Sequence, residues 1–237
     1  AAKPATITVG YLDPFNPGAP TARLELGASD QLSDSASISL VNRADLDLRG
    51  FTDTIGGLVV NGAGPFSVGA GAGELVLAGN ASFTGTGTTT ISGPLNMLAG
   101  SRNWTVNSGA TALLTGTAYS GTINKLGVGT LRLDNLDGFF TLNNSGSTTS
   151  VGTASVGGVT GSGTVHIDSA LTINVPAATQ RGFGGGFTGA GTLIKSGAGT
   201  QELNAGVANT HTGGTRVEGG TLFLNRFAGT TVIPGNI

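Results

Sequence analysis

The chain is broken by glycine every few residues, and between the breaks apolar and polar side chains alternate. Residues 191–225, GTLIKSGAGTQELNAGVANTHTGGTRVEGGTLFLN, show this at its densest. The same alternation marks ATITV (5–9), ARLEL (22–26), ASISL (36–40), DLDL (45–48), ELVL (74–77), TLRL (130–133), TVHI (164–167), LTINV (171–175), TRV (215–217) and TLFL (221–224). A period of two puts one set of side chains on each face of a strand. Each run ends within a few residues at Gly, Asn, Asp or Ser, which tolerate turn conformations. No glycine-free window of eleven residues has helical spacing, and each glycine inside a helix costs about 1 kcal/mol relative to Ala. The chain reads as all-β, built from very short strands.

A sandwich, a barrel and a parallel solenoid all suit short strands, and internal repetition separates them. GTINKLGVGTLRL (121–133) laid over GTLIKSGAGTQEL (191–203) matches at seven of thirteen positions, at an offset of 70. GAGELVLAG (71–79) repeats the frame Gly-Ala-Gly-x-x-x-Leu. Composition agrees: 43 of 237 residues are Gly and only 5% are aromatic, too little bulk for a thick core but enough for a thin one made by stacking coils. The expected architecture is a parallel β-solenoid over 1–237, about ten coils of roughly 20–25 residues, forming a rod on the order of 50 Å long. Leu46 and Leu48 should point inward, leaving Asp45 and Asp47 in solvent. Thr215, Val217, Leu222 and Leu224 should stack between the coils above and below.

Charge excludes some partners. The net charge is −2 and the pI about 5.6, with basic residues scattered singly, so neither nucleic acid nor an anionic membrane is an expected partner. No apolar run of membrane-spanning length occurs and AAKPATITVG is not a signal peptide, so no direct membrane insertion by this segment is expected. The absence of cysteine excludes disulfides and thiolate chemistry.

The stretch 191–225 resembles the autotransporter-associated β-strand repeat, whose pattern runs Gly-x-Leu-x-Lys-x-Gly-x-Gly-Thr-Leu-x-Leu, then Asn-x-Tyr-x-Gly-Gly-Thr, then Gly-Gly-Thr-Leu. LELGASDQLSDSASISLVNRADLDLRGFTDTIGGLVV (24–60) is similar to the family's linking segment ending in Leu-Asp-Leu-x-Gly-Phe. The strong matches cover about a third of the chain, and residues 136–160 match weakly. The resemblance implies a right-handed parallel β-helix in the passenger portion of a large bacterial surface or secreted protein, with its translocator outside this chain. It also implies adjacent copies or flanking repeats of the same protein as partners, the chain being a segment of a longer array. Gln201 stands where the family has an inward leucine, and His211 where it commonly has tyrosine.

Chemistry-bearing motifs are sparse. Gly184, Gly186 and Gly189 form a Gly-x-Gly-x-x-Gly match with no helix after it to receive a pyrophosphate, so it reads as a turn and no cofactor is expected. Asp45 and Asp47 lie about 6.5–7 Å apart along one strand, near the carboxylate spacing of inverting glycosidases, and equally what any solvated strand face provides. Asp134 and Asp137 are a second acidic pair at a turn. His166 and His211 lack neighbouring ligands, and no metal site is expected, with Asp30, Asp34 and Asp53 taken as exposed and at most weakly calcium-binding. Trp104, Tyr11, Tyr119, Phe139 and Phe140 read as core plugs rather than as a sugar-stacking platform.

The sequence therefore points to a structural or adhesive stalk of an extracellular or cell-surface protein, working by length and by an exposed Thr, Ser and Asn face, without catalytic residues, cofactor or metal. Surface glycans and a host or neighbouring-cell surface are the further expected partners, and end-to-end stacking into fibres is the expected assembly. The alternative is a polysaccharide-degrading or glycan-binding β-helix, for which DPFNPGAP (13–20) and LDGFFTLNNSGSTTS (136–150) would supply loops around a groove.

Overall fold

A period of two on short strands is satisfied when each strand pairs with its counterpart one coil away. The computed structural model, which describes residues 6–10, 21–145 and 149–235, has this arrangement. Every strand pairing is parallel, and no helix occurs among the described residues. The chain winds as a three-sided solenoid of about ten turns. The first face is a sheet of eleven strands running from Thr6–Gly10 to Thr221–Arg226. The second face runs from Ala22–Glu25 through Thr88–Ser92 to Gly186–Thr188. The third runs from Asp53–Ile55 through Leu95–Asn96 to Thr215–Val217. The longest strands, such as Thr111–Tyr119 and Thr164–Asn174, turn the edge between the second and third faces through a register shift and belong to both. Coil length varies: register partners on the first face lie 17 residues apart at Leu142 and Val159, 23 at Ala81 and Trp104, and 31 at Ile7 and Ile38.

Alternation sends every second side chain into the rod, where it meets its register partner on the next rung. On the second face Leu46, Val68, Ile91, Leu114, Leu133 and Val151 form one such column, all buried. Bulk is traded between neighbours: Phe83 packs on Trp104 with ring centroids 5.6 Å apart, beside Ala81, and Phe183 stacks over Gly161. Leu46 and Leu48 are inward as expected. Leu222 and Leu224 stack on Gln201 and Leu203 below, and Thr215 and Val217 on Leu193 and Lys195. Among the described residues no strand pairs with these two from the other side, and Leu224 is 43% and Val217 45% exposed, against the expectation of a coil above as well as below.

The 70-residue repeat is not a repeat of whole coils. GTINKLGVGTLRL places Gly127–Gly129 at the edge between the first and second faces. GTLIKSGAGTQEL places Gly197–Gly199 between the third and first faces, and GAGELVLAG places Gly71–Gly73 between the second and third. One edge unit thus serves at all three edges with the same geometry. The leading glycine is left-handed in each case, with φ of 77°, 71° and 63° at Gly127, Gly197 and Gly71. A β-carbon on Gly129, Gly199 or Gly73 would sit 2.1 Å from a carbonyl oxygen of the coil below. Only glycine meets both demands.

Two lysines of this unit are buried. Lys125 Nζ donates to the carbonyls of Gly127 (2.7 Å) and Gly129 (2.6 Å), tying its own edge. Lys195 Nζ donates to Ser196, to Gly197 (2.9 Å) and, one coil further on, to Gly219 (3.0 Å). Burial pushes the Lys125 ammonium from its ordinary 10.5 down to about 8, and moves Lys195 in the same direction. Gln201 resolves the departure noted in the sequence. The strand Gln180–Phe183 pairs with Gly158–Gly161 only at Phe183 and Gly161, so the main chain of Val159 lacks its rung. Gln201 reaches across from two coils away: its Oε1 accepts from Val159 N (3.1 Å) and its Nε2 donates to Val159 O (2.9 Å) and Arg181 O (3.1 Å). The side-chain amide stands in for a missing peptide.

Two outcomes follow for stability. Gln201→Leu, although it installs the residue of the repeat pattern, leaves the N–H and C=O of Val159 unpaired and should destabilise by about 2–4 kcal/mol in urea denaturation. For Lys125 the unfolded chain keeps its proton up to about 10.5 while the folded chain gives it up near 8. Between these values the unfolded state binds more protons, so stability rises with pH across the window, and below pH 8 the cost of the buried charge is present in full. Lys125→Met should flatten that rise, measured as the urea midpoint from pH 7.5 to about 10.5.

Candidate functional site

An outward position on one rung lies directly above its equivalents on the neighbouring coils, so the surface is organised in columns along the rod. On the first face the column Asn103, Asn124, Asn143 forms an amide ladder: Asn143 Nδ2 donates to Asn124 Oδ1 (3.0 Å) and Asn124 Nδ2 to Asn103 Oδ1 (2.9 Å).

On the second face, one outward column gathers charge from several coils. Arg132 Nη1 donates to Asp168 Oδ2 (2.9 Å) and Ser150 Oγ (3.1 Å), and Nη2 to Asp134 Oδ2 (3.3 Å). His166 places Nε2 3.3 Å from Asp168 Oδ1 and Nδ1 3.0 Å from Thr188 Oγ1. Hydrogen bonding to Asp168, and then to Asp134, holds the Arg132 guanidinium above its ordinary pKa. The hydroxyl, imidazole and carboxylate of Thr188, His166 and Asp168 follow the order of an activated nucleophile. They stand on a flat sheet whose N–H groups are spent on the parallel ladder, so no donor pair is left for an oxyanion. The cluster clamps four coils together. Asp134 and His166 were legible as single residues. Arg132, Ser150 and Asp168 were not, and their signal was recurrence at the local coil length, which is 18 residues from Arg132 to Ser150 and 16 from Ser150 to His166.

Asp45 and Asp47 point outward as expected, but each has a structural partner. Asp45 accepts from Ser67 N (3.1 Å) and Arg23 Nη2 (3.5 Å), and Asp47 Oδ1 accepts from Arg49 N (2.8 Å). Beside them lies an open depression of about 280 Å³, lined by Arg23, Asp45, Asp47, Ser67, Gly71 and Ser92 among others. A second, of about 340 Å³, is lined by Gly116, Thr117, Asn135, Asp137 and Thr153. Asp137 thus faces a different part of the surface from Asp134.

The remaining expectations divide. His211 is fully buried, 2.8 Å from Thr215 Oγ1 and edge-on to Phe187, and burial lowers its pKa against the backbone of Phe187 and Gly214. It does not meet His166. Trp104 and Phe140 are core plugs, as read, while Phe139 is exposed and Tyr119 half-buried. Tyr11 and 13–20 lie outside the described residues. Asp53 corrects the sequence reading: it is buried, and its Oδ2 accepts from Gln31 N (2.7 Å) and Leu32 N (3.1 Å), holding the segment that leads into the second coil. Residues 136–150 are not a long loop, since their described part lies mostly in the strands Thr130–Gly138 and Thr141–Asn144. The segment after Gly184 and Gly186 enters strands. No group of three potential metal ligands occurs among the described residues.

A family model, the passenger-associated-transport-repeat, matches residues 70–93 and 193–223. The first match opens at the edge between the second and third faces and the second within the third face, so the repeat, which spans a whole coil, does not start on a fixed side of the rod. The chain is also 31% identical over 199 residues, 83% of its length, to the "Adhesin BmaC autotransporter" of Brucella suis biovar 1 (strain 1330), and spans 6% of that relative. No solved structure matches. The chain thus carries the passenger-associated-transport-repeat at two places and is similar over most of its own length to a small part of an autotransporter.

Arg132 is the hub of the outward cluster, and its side chain is about one-third exposed. Arg132→Ala should cost about 1 kcal/mol or less in urea denaturation at low salt, and the difference should shrink at ~1 M salt.

Proposed function

We propose that this chain is a non-catalytic stalk segment of an adhesin-type autotransporter passenger, held outside the cell and anchored at the outer membrane through a part of the protein other than this chain. The observation that carries the reading is the stacking of about ten parallel rungs into sheets that run the length of the described chain, which makes a stiff rod whose length is set by the number of coils. Its similarity to a passenger named as an adhesin supports the adhesive context, and the mutual pairing of its outward charged groups argues against catalysis.

Further repeats of the same kind, in flanking sequence or in a neighbouring copy, are the partners that fit its end. Among the described residues the strand Thr221–Arg226 pairs with a strand on one side only, and Leu224, Phe223 and Phe227 are exposed beside it. An unpaired parallel edge over an apolar end face is a template for another rung. Light scattering of the chain over a concentration series should show end-to-end association, and Leu224→Asp with Phe227→Ser should abolish it without moving the thermal midpoint by more than a few degrees. Wild-type chain that stays monomeric at high concentration would count against stacking.

A further inference from the structure

Of the two histidines in the chain, His166 lies on the outer surface and His211 inside the rod. Thr210 N donates to Phe187 O (2.8 Å) and Thr212 N to Gly189 O (2.9 Å), so His211 stacks over Gly189, whose missing side chain leaves room for the ring. The ring is edge-on to Phe187 with centroids 6.3 Å apart, and its Nε2 is 2.8 Å from Thr215 Oγ1. Nδ1 is buried and makes no hydrogen bond. Burial disfavours a second ring proton, and the nearby backbone of Phe187 and Gly214 offsets only part of that cost.

Charge inside these coils has one sign. Lys195 points inward from the third face. From the first face Arg226 Nη2 donates to Gly185 O (2.7 Å) and to Oδ1 of Asn209 (3.2 Å), which is buried two residues before His211, while its Nε and Nη1 are buried without acceptors. Arg181, bound to Thr141 Oγ1 (3.3 Å), adds no compensating charge. The carboxylates of the same coils are spent on the outer surface: Asp168 on Arg132 and His166, Glu202 on Gln180 (3.0 Å) and Asn225 (2.7 Å), and Glu218 on Arg216. Among the described residues the only buried carboxylate is Asp53, near the other end of the rod.

We propose that His211 is an acid-operated latch: a second proton on its ring frees residues 206–226 from the rod while the coils before them stay closed. That proton would be a third cation in an interior that already holds Lys195 and Arg226, with neither water nor a carboxylate to answer it. The section it destabilises is also the most lightly tied. Residues 206–214 form no strand, and Thr215–Val217 is three residues long. The second face is held there by two backbone bonds to the coil below and by the Asn209 amide, whose Oδ1 accepts from Phe187 N (2.9 Å). A lightly paired section opens before a fully paired one. Opening uncovers Phe187, Leu193 and Leu203 and leaves the strands Gly186–Thr188 and Thr200–Ala205 each with an unpaired edge, a template for another chain. The latch rests on the fold alone, whether or not copies stack. The tyrosine of the repeat pattern at this position stays neutral over the whole range.

The direction with pH follows from the two states. A histidine in opened chain takes up its proton near pH 6.5, and in the closed coils burial delays that uptake to lower pH. Below about 6.5 the opened section therefore binds more protons than the closed one, and the opening equilibrium gains up to about tenfold per pH unit. At pH 7.5 the ring is neutral in both states and the latch is shut.

The test is amide hydrogen exchange of the chain at pH 7.5, 6.5 and 5.5, corrected for the intrinsic pH dependence of exchange. Protection of residues 206–226 should fall about tenfold between pH 7.5 and 5.5, and that of residues 111–173 should not change. His211→Tyr and His211→Gln should each remove the response, whereas His166→Gln, at the outward histidine, should keep it. The wild-type ring gives a second measurement that needs no substitution: in an NMR titration the His211 ring protons should shift only as the amides of 206–226 lose protection. Four results would each overturn the latch: no loss of protection by pH 5.5, an equal loss in every coil, a response that survives both His211 variants, or a ring that titrates near 6.5 while residues 206–226 stay protected.

Discussion

The parallel ladder is the constraint on which everything else rests. Because each strand pairs in register with the same face of the next coil, an inward side chain has two fixed neighbours, one rung above and one below, at a spacing that cannot adjust. Bulk at one rung must therefore be compensated within a rung or two, as at Ala81 beside Phe83 and Trp104, and at Gly161 beneath Phe183. A thin core made this way needs few aromatic residues, and the sparse aromatic content becomes a requirement of the architecture.

The same constraint explains the buried polar groups. Sharp edges leave carbonyls turned inward, and Lys125 and Lys195 are long enough to collect them. Where the ladder skips a rung at Val159, Gln201 supplies both a donor and an acceptor. Where an irregular segment leads into the second coil, Asp53 takes up two of its N–H groups. Each polar residue sits where the regular geometry fails, and each satisfies main-chain groups that would otherwise be buried without partners.

The all-β class, the solenoid and the inward leucines were legible because alternation and turn residues are local signals. Strands of two or three residues, such as Leu95–Asn96 and Ala81–Phe83, were not, since too few positions alternate to register as a pattern. The exposure of Leu224 and Val217 was also illegible, because it depends on what lies on the next rung and not on their own strands. The outward cluster around Arg132 was hidden for a related reason: its members are neighbours only once the coil length is known, and that length changes from turn to turn. Asp53 was misread because an aspartate among turn residues looks solvated until the loop folds over it.

The interchangeable edge unit carries one more consequence. If a single strand with its glycine edge is a module that fits any of the three edges, then gaining or losing one such module leaves the ladder continuous but advances the phase of everything downstream by about a third of a revolution. Evolution can thereby swing a distal surface around the axis as one turns a bezel, re-aiming what a distant portion of the passenger presents while each local contact stays as it was.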